Sequence, residues 1–421
     1  MSDIPGRKDA QAPLRIAMFT DSFFPELGGI QDSIMASARE LGRRGVAVLI
    51  LAPAASPRDF RRAGLAVAEM EIGENVTIHR LSALPAPGST GQSRLALPWT
   101  RTAGVLAAFR PDVIHTHTFL GAGLAARAAA RRSGLPLLGT NHWAISGFSL
   151  YAPLAPEAAA RVACRAVAGF YNHCAWTSVP SRATLAEMRV HGFRGAAAVI
   201  SNPIDSERFH TASPEERARL KQKLGLSPAS VVYAGRLARE KHIDVLIRAL
   251  PALRARVPQA MLVLAGRGTE QAALEALARE LGVADAVRFT GMLDHAALAR
   301  LFQAADAFAL ASTSESQGMA LLQAMSAGLP VVAVRHGPLV EYVPPGTGAL
   351  ATPGDAAEIA ARLAELLSDP HLRQRTGAAA AHWAAQFGVA PVTDMGLAAY
   401  ARAASRSTGQ TTDTDWSRSC A

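Results

Sequence analysis

Long apolar runs, cysteines and acidic residues are all in short supply in this 421-residue chain, and each shortage closes off a class of protein. No uninterrupted apolar run approaches the roughly 18 residues that a membrane span needs, so no transmembrane helix is expected. The opening residues, MSDIPGRKDAQAPLR, lack the apolar centre of a signal peptide. They read as a disordered leader over residues 1–14, and the expected location is the cytoplasm. Cys164, Cys174 and Cys420 have no metal-ligand spacing and are too few for a disulfide framework. Cys164 and Cys174 read as core thiols, and no structural metal is expected.

Basic residues exceed acidic ones by 43 to 34, a net charge of +9, and the excess is uneven. Residues 1–205 hold 21 Lys and Arg against 14 Asp and Glu, hence +7, leaving +2 for the remainder. Almost all of the positive charge is arginine. Two readings stay open: a solvated arginine-rich surface, or attraction to an anionic membrane. Nucleic acid is not an expected partner, because no zinc-finger spacing, aromatic ribonucleoprotein motif or basic helix-turn-helix pattern occurs. A helix opening at Pro98 within Arg94–Arg110 would join Trp99, Val105, Leu106 and Phe109 to Arg94, Arg101 and Arg110, the mixture found in helices that lie in a lipid interface. The same stretch also reads as an ordinary core-facing helix.

What is present is an alternation of short buried strands and amphipathic helices. Arg15–Thr20 runs into Pro25-Glu26-Leu27-Gly28-Gly29, then a helical pattern from Ile30 to Arg44 and a strand at Val46–Leu51, a βαβ unit opening a parallel sheet. A second such series follows Asn202-Pro203. The expected fold class is therefore α/β, two Rossmann-like parallel-sheet domains facing across a deep cleft. Residues 15–205 form the N-terminal domain and 206–388 the C-terminal one; 389–404 return to the first domain, and 405–421 are a disordered tail. Polar residues gather at the C-terminal ends of strands, where open α/β sheets bind ligands.

Three stretches carry chemistry. After Val231–Tyr233, Gly235 lets the backbone approach a ligand, and Arg236 and Lys241 lie five residues apart across a strand-to-helix connection. Their cations can converge beside the N-terminus of the next helix, which suits a diphosphate. Gly266-Arg267-Gly268 is only half of a dinucleotide fingerprint and weakens any nicotinamide reading. The loop bearing Ser314, Glu315, Ser316, Gln317 and Gly318, followed by an apolar helix with Gln323, can present an acid and an amide to one polyhydroxylated ligand.

Together these residues resemble the family 4 retaining glycosyltransferases of GT-B architecture. The resemblance runs from about Arg15 to Phe387 and rests on Gly235-Arg236-Leu237 with Lys241, Leu264-Ala265-Gly266-Arg267-Gly268, Phe289-Thr290-Gly291, and Ser314-Glu315 through Gly328-Leu329-Pro330-Val331-Val332. It implies that Arg236 and Lys241 bind a donor diphosphate and that Glu315 contacts the donor sugar. It also implies that Gly28 and Gly29 loop under the phosphates and that His142 is the active-site histidine. Asp21 and His117 are weaker candidates for the same cleft. Where the family has a second acid for the nucleotide ribose, this chain has Gln323, which still offers an acceptor and two donors.

The implied activity is a metal-independent hexosyltransferase that retains anomeric configuration. It would use a UDP-glucose-like or GDP-mannose-like donor as a substrate, with no cofactor. The acceptor would be a membrane glycerolipid or phosphoinositide, with the protein peripheral at the inner face of the membrane, or else a soluble glycan or small molecule. A sugar-nucleotide 2-epimerase and a non-catalytic nucleotide-sugar binder are the alternatives of another class. The only Asp-x-Asp match, Asp413-Thr414-Asp415, falls in the expected tail and reads as chance.

Overall fold

A computed structural model describes residues 13–25, 28–63, 66–68, 70–86, 94–99, 102–144 and 156–407. In chain order the first strands are β1 (Arg15–Phe19), β2 (Ala47–Pro53) and β3 (Val76–Leu81), then β4 (Ala83–Pro85) and β5 (Arg94–Ala96). They are followed by β6 (Val113–Thr116), β7 (Leu137–Thr140), β8 (Trp176–Val179) and β9 (Ala197–Val199). Seven of them form one sheet in the order β3-β2-β1-β6-β7-β8-β9, every pair parallel, while β4 and β5 pair antiparallel beside it. The second sheet is built from β10 (Ala229–Ala234), β11 (Ala260–Ala265), β12 (Val287–Gly291), β13 (Ala307–Leu310), β14 (Val331–Val334) and β15 (Gly348–Ala351). Its order is β12-β11-β10-β13-β14-β15, again all parallel.

Strands β1, β2, β11, β13 and β14 are largely apolar runs because helices cover both faces of each sheet. Ile16 to Phe19 and Val231 to Tyr233 are at most 1% exposed. In each sheet the chain first steps outward on one side of its opening strand, then returns to the other side, at β1/β6 and at β10/β13. Those reversals open a crevice at the C-terminal strand ends, which is where the polar loops lie.

The chain crosses between the sheets twice. The outgoing segment follows β9 through Ile204, whose N–H donates to Phe387 O at 2.8 Å, and Ile204 and Gly388 pair in parallel. The returning segment becomes the helix Val389–Ser407, which packs against Gly29–Arg43. There Arg44 pairs with Asp394, and the Tyr400 hydroxyl meets His115 Nδ1 at 2.6 Å.

Three boundaries differ from the sequence reading. Leu14 is not leader: its carbonyl accepts the Ala47 N–H at 2.9 Å, starting the β1–β2 ladder. Ser405–Ser407 are not tail but the last helical residues, with Ser405 Oγ donating to Ala401 O at 3.0 Å. Residues 1–12 and 408–421, with Asp413–Asp415, lie outside the described residues. No helix opens at Pro98, because the stretch before it pairs as β5 with β4 and the helix that follows is Ala103–Phe109. Trp99 is 74% exposed, Arg94 is tied to Asp59 at 2.6 Å, and Arg101 lies outside the described residues. Among the described residues no helix is long and apolar enough to cross a membrane.

Candidate active site

The C-terminal half of the site is made by backbone first. Gly235 and Gly266, immediately after β10 and β11, have φ of +151° and +150°, a region that side chains rarely enter. Gly235 N–H donates to Ala265 O, Leu237 N–H to Arg267 O and Gly266 N–H to Gly291 O, each at 2.9 Å. The ladder of the sheet thus continues past the strands into the loops. The packing is tight enough that a Cβ on Gly266 would lie 1.9 Å from Gly235 O, and one on Gly268 2.0 Å from Leu237 O.

On this floor stand the charged residues. Arg236 reaches Glu240 at 2.9 Å and remains 37% exposed, and the Tyr233 hydroxyl donates to Arg236 O at 2.9 Å. Lys241 Nζ donates to Glu315 Oε1 at 2.7 Å and to Ser314 O at 3.1 Å. Both members of that pair are only 16% exposed. His242, in the left-handed region at φ +49°, turns the chain into the helix Ile243–Arg256 and bonds Thr313 Oγ1 through Nε2 at 3.0 Å. The structure therefore brings Lys241 onto the acid loop after β13, joining residues 74 apart in sequence.

Gly318, at φ +92°, ends that loop and opens the helix Met319–Ser326. Gly29 of the other domain faces the start of this helix, since a Cβ there would stand 3.2 Å from Met319 Cγ. Gly28, in extended backbone, precedes Gly29 at the opening of its helix. The glycine turn and the acid loop thus oppose each other across the cleft. Ser316 O accepts from Thr184 Oγ1 at 3.3 Å, also across the cleft. Gln323 is 8% exposed on the Met319 helix. Gln317 points elsewhere: it is 1% exposed and all its polar partners are Ser201 and Asn202, on the chain crossing.

His142 lies two residues beyond β7. It is 5% exposed, with Nε2 3.0 Å from His117 Nδ1, and His115 follows, its Nε2 2.8 Å from Thr140 Oγ1. Burial lowers the pKa of His115 to about 3 and that of His142 to about 4, the latter opposed by the Asn202 side chain, and holds His117 well below its usual value. All three are neutral at ordinary pH. With Asn202, Thr393 and Tyr400 they line a cavity of about 60 Å³ between the first sheet and the returning helix, separate from Arg236 and Lys241. Asp21 is also committed to the fold, accepting from Ala96 N–H at 2.9 Å, Ala122 N–H at 3.1 Å and the Thr118 hydroxyl at 3.1 Å.

Several residues that close the cleft carry no sequence signal of their own. Asp32, in the first turn of Gly29–Arg43, meets His295 Nε2 at 2.9 Å, and His295 opens the helix His295–Ala304 of the other domain. The hydrogen bond to Asp32 raises the His295 pKa above its usual 6.5; burial and Arg208 oppose the shift, and Asp205 adds to it. A raised pKa means that the pair stabilises fully below about pH 6.5 and fades as pH climbs through the folded-state value. Wild-type protein should therefore lose its stability margin over His295→Gln as pH rises above about 6.5, by less than about 1 kcal/mol because the histidine is one-third exposed. Thermal unfolding of both proteins from pH 5.5 to 9 checks this; a margin that grows with pH would refute it.

Two family patterns cover most of the chain. Glycosyltransferase Family 4 matches residues 27–208, and Glycosyl transferases group 1 matches residues 215–383. A D-inositol 3-phosphate glycosyltransferase of Stackebrandtia nassauensis is 31% identical, over 96% of this chain and 94% of that one. A GDP-mannose-dependent alpha-(1-6)-phosphatidylinositol monomannoside mannosyltransferase of Mycolicibacterium smegmatis is also 31% identical, over 87% and 93%. Among solved structures, Anabaena HepE in complex with UDP and glucose superimposes with a TM-score of 0.72 at 24% identity, covering 92% of this chain and 99% of that one. Two parallel sheets meeting at their strand ends, with both halves matched in order, make this chain a family 4 (group 1) glycosyltransferase of GT-B fold.

Proposed function

We propose that the protein is a retaining hexosyltransferase that moves a hexose from a nucleotide diphosphate to a hydroxyl of a membrane glycerolipid or phosphoinositide. The observation that carries the donor half is the gathering of Arg236, Lys241 and Glu315 at the ends of β10 and β13, facing the Gly28–Gly29 turn. Breaking the anomeric bond places negative charge on the leaving diphosphate and oxocarbenium character on the sugar. Arg236 and Lys241 would neutralise the first, so the reading calls on no metal ion, while Glu315 would hold the sugar hydroxyls. The acceptor oxygen bonds to the anomeric carbon on the face that the diphosphate leaves, and its proton passes to the departing phosphate. Gln323 takes the place of a ribose-binding acid and would accept and donate in that pocket.

The lipid half draws on the phosphatidylinositol-directed relative and on the exposed Trp99 and Leu84 of the first domain, 74% and 59% exposed. With Arg94 already paired to Asp59, attachment to an anionic surface would be weak and reversible, at on the order of 1 kcal/mol per remaining basic residue. A soluble phosphorylated acceptor is the second reading, favoured by the inositol phosphate relative. Mass spectrometry of products from UDP- and GDP-hexoses, offered with membrane lipid extract or with inositol phosphates, decides between them. Product only in the soluble arm would end the lipid reading; an isomerised donor with no acceptor product would replace transfer by epimerisation.

Arg236→Ala and Lys241→Ala each remove a charge-assisted contact worth roughly 1.5–3 kcal/mol, so turnover should fall at least about tenfold in each. Folded variants that keep wild-type rates with every active donor would place the diphosphate elsewhere.

A further inference from the structure

We propose that Gln317 is a positioning residue: it clamps the acid loop to the chain crossing and so presets Glu315 for the donor before the donor arrives. The inference rests on the donor-site reading above, since it concerns how that loop is held.

Gln317 lies between Glu315 and Gly318, yet its side chain faces away from the cleft and is 1% exposed. Its Oε1 accepts the Asn202 N–H at 2.8 Å, while its Nε2 donates to Asn202 O at 3.1 Å and to Ser201 Oγ at 2.7 Å. One side-chain amide thus satisfies both backbone groups of Asn202, as a neighbouring strand would. This occurs where the chain leaves the first domain, two residues before Ile204 pairs with Gly388. Buried backbone groups must be paired; the Asn202 carbonyl also accepts the Ser201 hydroxyl at 3.0 Å, and among the described residues no strand pairs with Asn202.

The clamp is part of a closed ring. Asn202 Oδ1 accepts the Ser33 hydroxyl at 3.1 Å, and Ser33 belongs to the helix that Gly29 opens. Gly29 in turn packs toward Met319, the residue after Gly318. The path runs from the acid loop through Gln317, Asn202 and Ser33 to Gly29, then back through Met319 to the loop. The Gln317–Asn202 and Asn202–Ser33 links are hydrogen bonds, Ser33 is joined to Gly29 by four residues of one helix, and a Cβ on Gly29 would stand 3.2 Å from Met319 Cγ, so the ring ties the loop to the glycine turn. Within this ring Gln317 supplies the only side chain that the loop itself contributes to the crossing among the described residues.

Three variants test it: Gln317→Leu, which keeps bulk but neither polar bond; Gln317→Glu, which keeps an acceptor for the Asn202 N–H but loses both donors; and Ser33→Ala, which cuts the ring elsewhere. Amide exchange on the full unliganded chain reads the clamp directly. The Asn202 amide should exchange at least about tenfold faster in Gln317→Leu, with Gln317→Glu between it and wild type, while amides of β10 and β13 keep wild-type protection. Calorimetry with UDP and with GDP then reads the consequence. The dissociation constant of whichever nucleotide binds should rise at least about tenfold in Gln317→Leu, with a smaller rise in Ser33→Ala, because the competent loop is less populated. Unchanged Asn202 exchange, or faster exchange with unchanged nucleotide affinity, would overturn the proposal. If Gln317→Leu does not fold, Gln317→Glu and Ser33→Ala carry the same comparison. Failure of wild-type protein to bind either nucleotide would instead overturn the donor reading, leaving the exchange data to judge the clamp alone.

Discussion

Replacing Glu315 by alanine is expected to lower sugar transfer at least about a thousandfold, or roughly 4 kcal/mol of activation free energy, with the fold intact. Two losses combine. The sugar loses the carboxylate that would orient it, and Lys241 loses its 2.7 Å partner and with it a fixed place in the site. Glu315→Gln separates them, because an amide can still hydrogen-bond a hydroxyl but cannot hold the ammonium by charge. It should keep more activity than alanine and less than wild type. Single-turnover rates with the active donor provide the measurement; a folded Glu315→Ala protein within tenfold of wild type would remove this residue from the reaction.

Gly266→Ala should be as damaging by another route. The new Cβ would fall 1.9 Å from Gly235 O, on a backbone at φ +150° that disfavours any side chain. The conformational term alone is about 1–3 kcal/mol, and separating the two loops breaks the bonds that continue the ladder past β10 and β11. The unfolding temperature of the C-terminal half should drop by on the order of 5–10 °C. Donor turnover should fall further than stability accounts for, since Arg236 follows directly on the displaced Gly235. Calorimetric unfolding beside steady-state rates tests both parts. A variant with wild-type melting and turnover would show that the loops separate without cost.

Much of this was legible in the residues. Strands β13 (AFAL) and β14 (VVAV) stand where uninterrupted apolar runs between breakers place them, because a strand covered on both faces favours apolar residues throughout. The pairing of Arg236 and Lys241 across one connection was likewise visible. Other elements were hidden for identifiable reasons. The helix Ile243–Arg256 continues through Pro251, where a breaker would be read, because its apolar face is held by tertiary packing. Strand β3, VTIHRL, mixes polar residues into its run because it lies at the sheet edge.

The site was less legible than the fold. Gln317 sits in the middle of the acid loop, and nothing local says that its side chain turns back to Asn202, 115 residues earlier. His142, expected beside the sugar, also meets His117 in a buried histidine cluster, a contact that follows from the β6–β7 pairing and has no local signal. Asp32 and His295 are unremarkable helix-start residues until two domains are placed face to face. What a sequence cannot show in each case is a partner set by topology.

The helix Arg182–Val190 belongs to the first domain, but its leading N–H groups are satisfied from the second: Glu341 accepts from Arg182 N–H at 2.9 Å and from Ala183 N–H at 2.7 Å. Ser181 of the first domain caps the same helix, its Oγ accepting the Thr184 N–H at 3.1 Å, so swinging the domains apart would release only the Arg182 and Ala183 N–H groups. A carboxylate at a helix N-terminus contributes about 0.3–1 kcal/mol, at most about a fivefold bias toward the docked arrangement. The helix end therefore acts as a latch: two N–H groups that find a carboxylate only when the cleft is shut favour the shut arrangement.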